Sequence, residues 1–477
     1  MSVAKKVATN TLFLILGKIV TIFVQIIIIS LLARYLGVSG YGKYAFVFAY
    51  LSFFQVLCNA GLDSILVREI SREKSLAAKL IGLGVIIRFF ISVAAFLLAV
   101  LIITLLGYPQ DITKAIYILS LILLFSSLRT PELIFQVYLK SQYPALINLL
   151  TKFLTLGLIS LAIHQKGNLI FIIWMILAAN LASNSAVIIY SRRFVVPKFS
   201  FNLNLFKRVI KESWPVALTA IAITVYFKID TIMLSFMKGD EAVGYYSAPY
   251  GIMATLIFIP AAYVTSIFPV ISEYFKSSVD SLTKVFKRSF KYLFTLALPI
   301  VVGGVILSGD IIIFVFGDKF YSSINVFRIL IFAMGIIFIS NLVTNVIIAT
   351  NRQKINLWLV LANVALNISL NLILIPRWSY IGASIATVFT EGLGCSLALF
   401  LNLKYFKLRF FSKRYLNILK PFLAAAVMAV VIFCLHAAHF LVIIPIAGLV
   451  YIGALFIFRW FDKVDLSLFK EILKTAR

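Results

Sequence analysis

Cysteine and histidine are scarce in this chain. Cys58, Cys395 and Cys434 are isolated and form no Cys-x-x-Cys pair, so the sequence predicts neither a disulfide framework nor a thiolate metal site. The three histidines form no His-Glu-x-x-His motif, and no glycine-rich phosphate loop occurs, which excludes a zinc protease and a built-in ATPase. The connections between apolar segments are short and leave no room for a catalytic domain. We therefore expect no enzyme, no cofactor and no metal.

Acidic residues are also few. The chain has 44 Lys and Arg against 17 Asp and Glu, a formal charge of +27, while 62% of its residues are hydrophobic. A mean hydropathy of +1.06 excludes a water-soluble domain and requires an integral membrane protein. Because no folded soluble domain is expected to present a groove, the positive charge does not indicate nucleic acid as a partner.

Long apolar runs, in contrast, are abundant. A helix needs about 20 apolar residues to cross the hydrocarbon core, and cutting the chain at its polar clusters gives about fourteen such segments. None shows the alternation of a β-barrel strand. The sequence therefore predicts an all-α integral membrane protein with about fourteen transmembrane helices. The segments are 9–33, 43–62, 80–106, 114–138, 144–164, 169–190, 213–236, 244–271, 292–316, 326–350, 357–375, 381–402, 418–437 and 440–458.

The distribution of basic residues predicts the orientation. With an even number of spans both ends lie on one side, which then carries about 31 of the basic residues against about 8 in the opposite connections. The positive-inside rule therefore places both termini in the cytoplasm. Basic runs such as 404–414 are also expected to contact anionic lipid headgroups.

Two stretches of the sequence resemble each other. Residues 35–45 and residues 237–248 each place a Gly-x-Tyr-small element after a short polar turn. Leu106-Gly107 and Phe316-Gly317 form a second matching pair, and polar residues after 140 and after 350 form a third. The offset stays near 200–210 residues, which indicates an internal duplication. The alternative is chance similarity among glycine and aromatic residues at helix starts.

The duplication predicts the domain organisation. We expect two pseudo-symmetric six-helix lobes, residues 1–205 and 206–405, followed by two extra helices and a cytoplasmic tail in 406–477. Because six is even, the lobes point the same way and are related by an axis along the membrane normal, with a cavity between them. This is the layout of a transporter.

Five basic side chains lie inside the apolar segments. Each costs roughly 2.5–3.5 kcal/mol at the bilayer centre, and the shortage of acidic partners favours an anionic ligand. At 1.5 Å per residue, four of them lie roughly 12–15 Å from the cytoplasmic side, and the fifth lies deeper. The alternative is snorkelling of each long side chain back to the interface. The four are Lys18, Arg88, Arg129 and Lys152, and the fifth is Lys228.

Polar residues recur at helical spacing around these charges. Lys18, Thr21 and Gln25 share one helix face, and so do Asn148 and Lys152, as expected of helices that line a cavity. Gln55 and Asn59 follow the same spacing in the next segment. Hydrogen bonding between helices would need the same residues and the same period, so it remains the alternative.

Three acidic residues are candidates for ion or proton coupling. Glu132 lies three residues from Arg129, on the same helix face, where it could neutralise the guanidinium. Asp230 lies two residues from Lys228 and therefore on a different face, which argues against a simple pair. Asp230 and Glu391 are the acidic groups most suited to an ion or proton site, and partnership with a neighbouring helix is the alternative.

At this point the chain resembles the polysaccharide-unit flippases, the Wzx-type branch of the MOP (multidrug/oligosaccharidyl-lipid/polysaccharide) exporter superfamily, which also holds the MATE exporters and the lipid II flippase. The resemblance covers most of residues 1–405, and the two extra C-terminal helices fit this branch better than a twelve-helix exporter. It implies a MATE-like, two-lobed bundle. It rests on LARYLG at 32–37 with GYG at 40–42, GLD at 61–63 with VRE at 67–69, IDTIML at 229–234 with VGYY at 243–246, and residues 367–376 leading into GASIAT at 382–387.

The resemblance also implies a function. Such a protein lies in the cell (cytoplasmic) membrane and moves a lipid-pyrophosphate-linked oligosaccharide from its cytoplasmic to its outer leaflet by alternating access, with membrane lipids and glycan-assembly proteins as partners. The headgroup phosphate would bind the four-residue layer first, and Arg34 and Lys228 would receive it nearer the outer side. Sugar-facing roles fall to Gln25, Gln55, Asn59 and Asn148. The alternatives are a cation-coupled MATE-type exporter of drugs or small molecules, which would need an acidic cavity, and a non-transport scaffold.

Overall fold

The computed structural model describes residues 3–200, 202–350, 352–406, 419–463, 465 and 467. Within these ranges the regular secondary structure is helical and no strand occurs, which confirms the predicted all-α fold. Helices are expected because lipid offers no hydrogen-bond partner, so each apolar segment must satisfy its own backbone groups. Most of the basic run 404–414 and the end of the predicted tail lie outside the described residues.

Sixteen α-helices follow one another along the described chain, with short 3₁₀ turns between some of them. They are α1 (Val3–Asn59), α2 (Leu62–Arg72), α3 (Ala77–Leu105), α4 (Gln110–Phe125), α5 (Leu133–Val137), α6 (Gln142–His164), α7 (Leu169–Ser191), α8 (Leu203–Lys238), α9 (Asp240–Leu256), α10 (Phe258–Ser277), α11 (Val279–Ile306), α12 (Ser308–Phe316), α13 (Ser323–Ala349), α14 (Gln353–Phe406), α15 (Leu419–Cys434) and α16 (Phe440–Ile457).

Eleven stretches of the described helices are long and apolar enough to cross a membrane. Two of them contain a pair of predicted segments each. In α1 the helical path breaks at Gly37 (φ 69°, ψ −176°), and in α14 it breaks at Ser379 (φ 49°, ψ −131°). The shorter apolar helix α15 covers a further predicted segment. The multi-pass architecture is thus confirmed, while the count of fourteen spans stays a prediction.

The chain divides into two compact units, Met1–Ala248 and Pro249–Arg477. In the first unit α1 packs against α3, α6 and α8, and α7 packs against α4 and α6. In the second unit α13 packs against α10, α11 and α14, while α15 and α16 pack against each other and against α11. The predicted lobe boundaries at residues 205 and 405 remain a prediction.

The glycines that the predicted duplication pairs share an unusual backbone conformation. Gly37 (φ 69°, ψ −176°) and Gly239 (φ 80°, ψ −174°) occupy a region that only glycine enters readily. The second predicted pair, Gly107 and Gly317, also has positive φ, 65° and 86°. Equivalent turns at equivalent positions are what the duplication predicts.

The two stretches that the predicted duplication pairs contact each other within the first unit. A Cβ on Gly42 would lie 1.8 Å from the backbone oxygen of Asp240, and a Cβ on Gly244 would lie 2.1 Å from the backbone oxygen of Val38. Gly42 and Gly244 are equivalent in the predicted duplication, and so are Val38 and Asp240. The contact is therefore reciprocal, and it brings α1 against the start of α9 at backbone distance.

A cluster of charged and polar side chains joins the residues that follow α16 to α11. The buried carboxylate of Asp465 accepts hydrogen bonds from Lys291 Nζ at 2.5 Å and from the Tyr292 hydroxyl at 2.6 Å. The Lys291 ammonium lies 4.9 Å from the centre of the Trp460 ring, and Trp460 Nε1 donates to Thr295 Oγ1 at 2.9 Å. Burial alone would raise the pKa of Asp465, but these hydrogen bonds outweigh it and hold that pKa below its usual range.

An Asp465→Asn variant is expected to lose about 2 kcal/mol of stability, because the Lys291 ammonium loses its charged partner. The pKa of Asp465 is lower in the folded than in the unfolded protein. Its carboxylate therefore stabilises the fold above the unfolded pKa of about 3.9 and stops doing so as pH falls through the folded value. Thermal melts in detergent across acidic pH measure this, with exposed Asp318→Asn as the control. Equal melting temperatures for Asp465→Asn and wild type would contradict the prediction.

Candidate functional site

The first unit contains a polar cavity of about 720 Å³. Both halves of α1 line it, together with α4, α6, α7 and the 3₁₀ segment that follows α4. Its polar and charged lining residues are Lys18, Thr21, Gln25, Tyr44, Gln55, Arg129, Ser141, Asn148, Thr151, Lys152, Thr155, Asn180 and Ser183. Among the described residues that line it there is no Asp or Glu. The cavity is therefore basic.

Two of the predicted polar stripes converge in this polar cavity. On α1 the stripe that starts at Lys18 and reaches Gln25 faces inward, and on α6 the stripe through Asn148 and Lys152 does the same. Residues three, four and seven apart share one face of a helix, so each stripe presents all of its members together. Lys152 Nζ donates to Gln25 Oε1 at 2.7 Å and joins the two helices. Both stripes thus line this pocket, and their part in binding a transported molecule stays a prediction.

Arg129 enters the polar cavity from an irregular segment. Residues Ser126–Glu132 form a 3₁₀ helix that contains Pro131, and backbone of this kind is tolerated at membrane depth where it lines a cavity. Arg129 Nη2 lies 2.6 Å from Glu132 Oε2, which confirms the predicted pair. Lys18 and Lys152 therefore supply most of the positive charge of the polar cavity. A role for Glu132 in coupling stays a prediction.

Arg88 lies elsewhere. Its side chain is buried in α3, where Nη2 lies 2.5 Å from Asp63 Oδ1 and 3.3 Å from Asn59 Oδ1. Arg88 and Asn59 are not among the lining residues of the polar cavity. The four-residue layer is thus divided in the structure: three members face one cavity, while Arg88 is held by an acidic partner on α2. Their roles as phosphate and sugar ligands remain predictions.

The two basic residues assigned to the outer side are also separate from the polar cavity. Arg34 is exposed near the end of the first half of α1, and Lys228 is half-buried on α8. Neither is among the residues that line the polar cavity. Their proposed part in releasing the phosphate stays a prediction.

The remaining acidic candidates are buried. Asp230 on α8 accepts a hydrogen bond of 2.6 Å from the Tyr246 hydroxyl, so it has a neighbouring helix as partner, as the alternative predicted. Glu391 is buried in α14, in the second unit. On the same helix, Asn371 Nδ2 donates to Asn367 Oδ1 at 2.9 Å, a hydrogen bond within one helix. Ion or proton coupling at Asp230 and Glu391 stays a prediction.

Tyr44, Phe48 and Asn180 are among the lining residues that had no place in the sequence-based site. Tyr44 and Phe48 lie on the second half of α1, and Asn180 lies on α7. Aromatic residues at helical spacing are usual in helix packing, so their types alone did not indicate a site. The available signal was their position. Tyr44 and Phe48 lie four residues apart on the face that also carries Gln55.

Residues 7–275 match the family described as "Polysaccharide biosynthesis protein", and this match covers more than half of the chain. The chain belongs to this family. The resemblance to polysaccharide-unit flippases predicted from the sequence is thereby confirmed. The match begins in α1 and ends in α10, so it includes every residue that lines the polar cavity.

Two curated relatives of this chain are named as a flippase and as a transporter. The "Probable flippase AglR" of Haloferax volcanii is 31% identical over 180 residues, which is 36% of this chain and 37% of the relative. The "Putative O-antigen transporter" of Shigella flexneri is 25% identical over 170 residues, or 34% of this chain and 38% of the relative. In each case the matched part spans well under half of the relative's length.

A solved structure confirms the fold across nearly the whole chain. The lipid II flippase MurJ in an inward closed conformation superposes with a TM-score of 0.77 at 19% sequence identity, covering 94% of this chain and 98% of that one. At this identity the likeness concerns the fold alone. It confirms the predicted MATE-like helical architecture of the chain.

Proposed function

We propose that this protein is a flippase that moves a lipid-pyrophosphate-linked oligosaccharide from the cytoplasmic to the outer leaflet of the cytoplasmic membrane by alternating access. The observation that carries the proposal is the polar cavity, which is lined by Lys18, Arg129 and Lys152 and by no carboxylate. Relatives named as a flippase and as an O-antigen transporter support the same class of cargo. The proposal includes cytoplasmic termini, and membrane lipids and glycan-assembly proteins as partners.

The charge of the polar cavity suits a pyrophosphate. Lysine and arginine inside a membrane protein require a water-filled cavity or an anionic partner, and an ammonium or guanidinium binds a phosphate oxygen through charge-assisted hydrogen bonds. Lys152 is held in place by Gln25, so its ammonium is oriented before a ligand arrives. Arg129 shares its guanidinium with Glu132 and still reaches the polar cavity.

The competing function is a cation-coupled exporter of drugs or small molecules. Such a protein would need a cavity that attracts cations, and the polar cavity has basic but no acidic lining residues. A non-transport scaffold would have its polar stripes turned against neighbouring helices. The stripes on α1 and α6 instead face open space. Both observations favour an anionic cargo.

Flipping in reconstituted vesicles tests the proposal. A fluorescent or radiolabelled lipid-pyrophosphate oligosaccharide is placed in one leaflet, and its appearance in the other is followed for wild type and for the Lys18→Ala, Lys152→Ala double variant. We expect a loss of at least tenfold in rate, because a charge-assisted hydrogen bond contributes about 1.5–3 kcal/mol. Lys166→Ala, which removes an exposed loop lysine, serves as the matched control and should flip normally.

The same vesicles separate the competing functions. A double variant that flips at the wild-type rate would contradict the assignment of the polar cavity as the phosphate site. A wild-type protein that leaves the lipid in place but exchanges organic cations against a sodium or proton gradient would contradict the flippase proposal itself.

A further inference from the structure

The connection between α7 and α8 carries charge of one sign. We call residues 192–202, which join these two helices, the linker. Together with the first turns of α8, up to residue 211, it contains no Asp or Glu. The basic residues of this stretch are Arg192, Arg193, Lys198, Lys207, Arg208 and Lys211. The side chain of Lys198 is exposed, so the linker presents positive charge at the protein surface.

The nearby carboxylates of α2 and α8 already have basic partners. Glu69 on α2 lies 3.2 Å from Arg72 Nη1 and 2.8 Å from Arg208 Nη2. Glu212 on α8 pairs with Arg68 on α2. These two carboxylates are therefore occupied by arginines of the two helices, and they are not available to neutralise the linker.

The backbone of the linker is held against the start of α3. The Lys198 backbone nitrogen donates to the Ala78 backbone oxygen at 2.8 Å. A Cβ on Gly82 would lie 2.1 Å from the Lys198 backbone oxygen, so only glycine permits this approach. Lys79, the residue after Ala78, is exposed and adds a further positive charge beside the linker. The position of Lys198 is therefore fixed from both sides of its peptide unit.

Large apolar side chains are exposed on the same stretch. Val196 is 64% exposed and Phe199 is 69% exposed, and Leu203, the first residue of α8, is 53% exposed. The positive-inside rule accounts for basic residues in a connection between membrane spans, but it does not account for exposed apolar side chains between them. Aromatic and basic residues in combination are typical of segments that lie in the membrane interface.

The linker also lies at the right depth for a membrane interface. The helices on either side of it, Leu169–Ser191 and Leu203–Lys238, are each long and apolar enough to cross a membrane. Its third neighbour, α3, begins at Ala77, which places Gly82 about 8 Å along that helix. Interfacial segments bury their apolar side chains about 5–10 Å into the boundary between headgroups and acyl chains. The irregular backbone of the linker then lies among hydrated headgroups, because lipid-exposed irregular backbone does not occur in the hydrocarbon.

We propose that the linker and Lys79 form a binding surface for anionic phospholipids, in which Lys79 and Lys198 bind the headgroups while Val196 and Phe199 insert among the acyl chains. An acidic soluble protein is the competing occupant. It would match the charge, but exposed apolar side chains beside the ends of membrane spans favour lipid. The inference concerns the lipid that surrounds the protein and is independent of the cargo of the polar cavity.

Local fluorescence quenching tests this surface. In the full-length protein the three cysteines are replaced by serine, and exposed Ser200→Cys is labelled with bimane. This labelled parent is reconstituted into phosphatidylcholine vesicles that contain a trace of quencher, either phosphatidylglycerol or phosphatidylcholine with a nitroxide high on its acyl chain. Each basic residue near the surface favours anionic lipid by a factor of about five. We therefore expect phosphatidylglycerol to be enriched at the label at least about tenfold over phosphatidylcholine.

Two charge variants locate the source of this preference. Lys79→Gln with Lys198→Gln should make the two lipids quench equally, while quenching by phosphatidylcholine stays at the parent level. Lys114→Gln with Lys166→Gln removes the same charge from exposed positions near the start of α4 and before α7. This matched control should keep the preference of the parent.

An apolar variant tests insertion separately. Val196→Ser with Phe199→Ser should lower quenching by both lipids, because the linker loses the side chains that draw it toward the acyl chains. Equal quenching by the two lipids in the labelled parent would overturn the proposal, and so would a preference that survives the loss of Lys79 and Lys198 or disappears equally in the matched control. Absence of quenching by either lipid, or unchanged quenching in the apolar variant, would show that the linker does not insert, and would overturn the proposal in favour of a soluble partner.

Discussion

Replacing Gly42 by alanine is expected to destabilise the protein by about 3 kcal/mol or more and to abolish transport. The added Cβ would lie 1.8 Å from the backbone oxygen of Asp240 and 2.9 Å from the backbone nitrogen of Gly244. Backbone atoms cannot escape by changing a rotamer, so α1 and α9 must separate. A thermal melt in detergent measures the loss of stability, and flipping in vesicles measures the loss of function.

The reciprocal contact supplies a second test. Gly244→Ala places its Cβ 2.1 Å from the backbone oxygen of Val38 and should cause a loss of similar size. Gly157→Ala on α6 is the matched control, because a Cβ there has no neighbour within 4 Å. The same melting temperature for Gly42→Ala and Gly157→Ala would show that the two copies do not touch at this point.

Truncation of Arg88 to alanine is expected to lower stability by about 3 kcal/mol. Removing one partner of a buried ion pair typically costs 3–5 kcal/mol, and the lower end applies because the Asp63 side chain remains 38% exposed. Asn59 also loses a donor, since it accepts from the same guanidinium. Unfolding of the variant in detergent, followed by intrinsic fluorescence, checks this value.

A double-mutant cycle identifies the origin of that loss. If Arg88 acts through Asp63, then Asp63→Ala should cost at least about 1 kcal/mol less in the Arg88→Ala background than in the wild type, a coupling energy within the usual range for contacting residues. Lys152→Ala should behave differently, with lower flipping and nearly unchanged stability. Additive effects of the two substitutions at Arg88 and Asp63 would instead contradict a stabilising pair between them.

Helical periodicity predicted the part of the site that depends on one helix at a time. The residue spacing on α1 and on α6 decides which side chains share a face, and a charged face must turn away from lipid. Lys18, Gln25, Asn148 and Lys152 therefore line the polar cavity as expected. The pair between Arg129 and Glu132 was predictable for the same reason, since three residues separate them on one segment.

Contacts between helices were not predictable in this way. Whether Arg88 contacts Asp63 depends on how α3 is rotated and shifted relative to α2. The spacing of residues within a single segment does not determine either quantity. The role of Asp465 is a further example, because its partners Lys291 and Tyr292 are more than 170 residues away. The sequence analysis did not assign Tyr44 and Phe48 to the polar cavity. Aromatic residues occur both in helix packing and in cavity linings, so the residue type alone does not distinguish the two.

The reciprocal contact of Gly42 and Gly244 has the form of an isologous interface, in which the same patch meets itself across a two-fold axis. In a homodimer one codon would determine both sides, and any substitution would act twice. Here the two sides belong to one chain, so each can vary alone. The paired positions Val38 and Asp240 already differ. Only the second of the two contacting stretches therefore carries a carboxylate at this position.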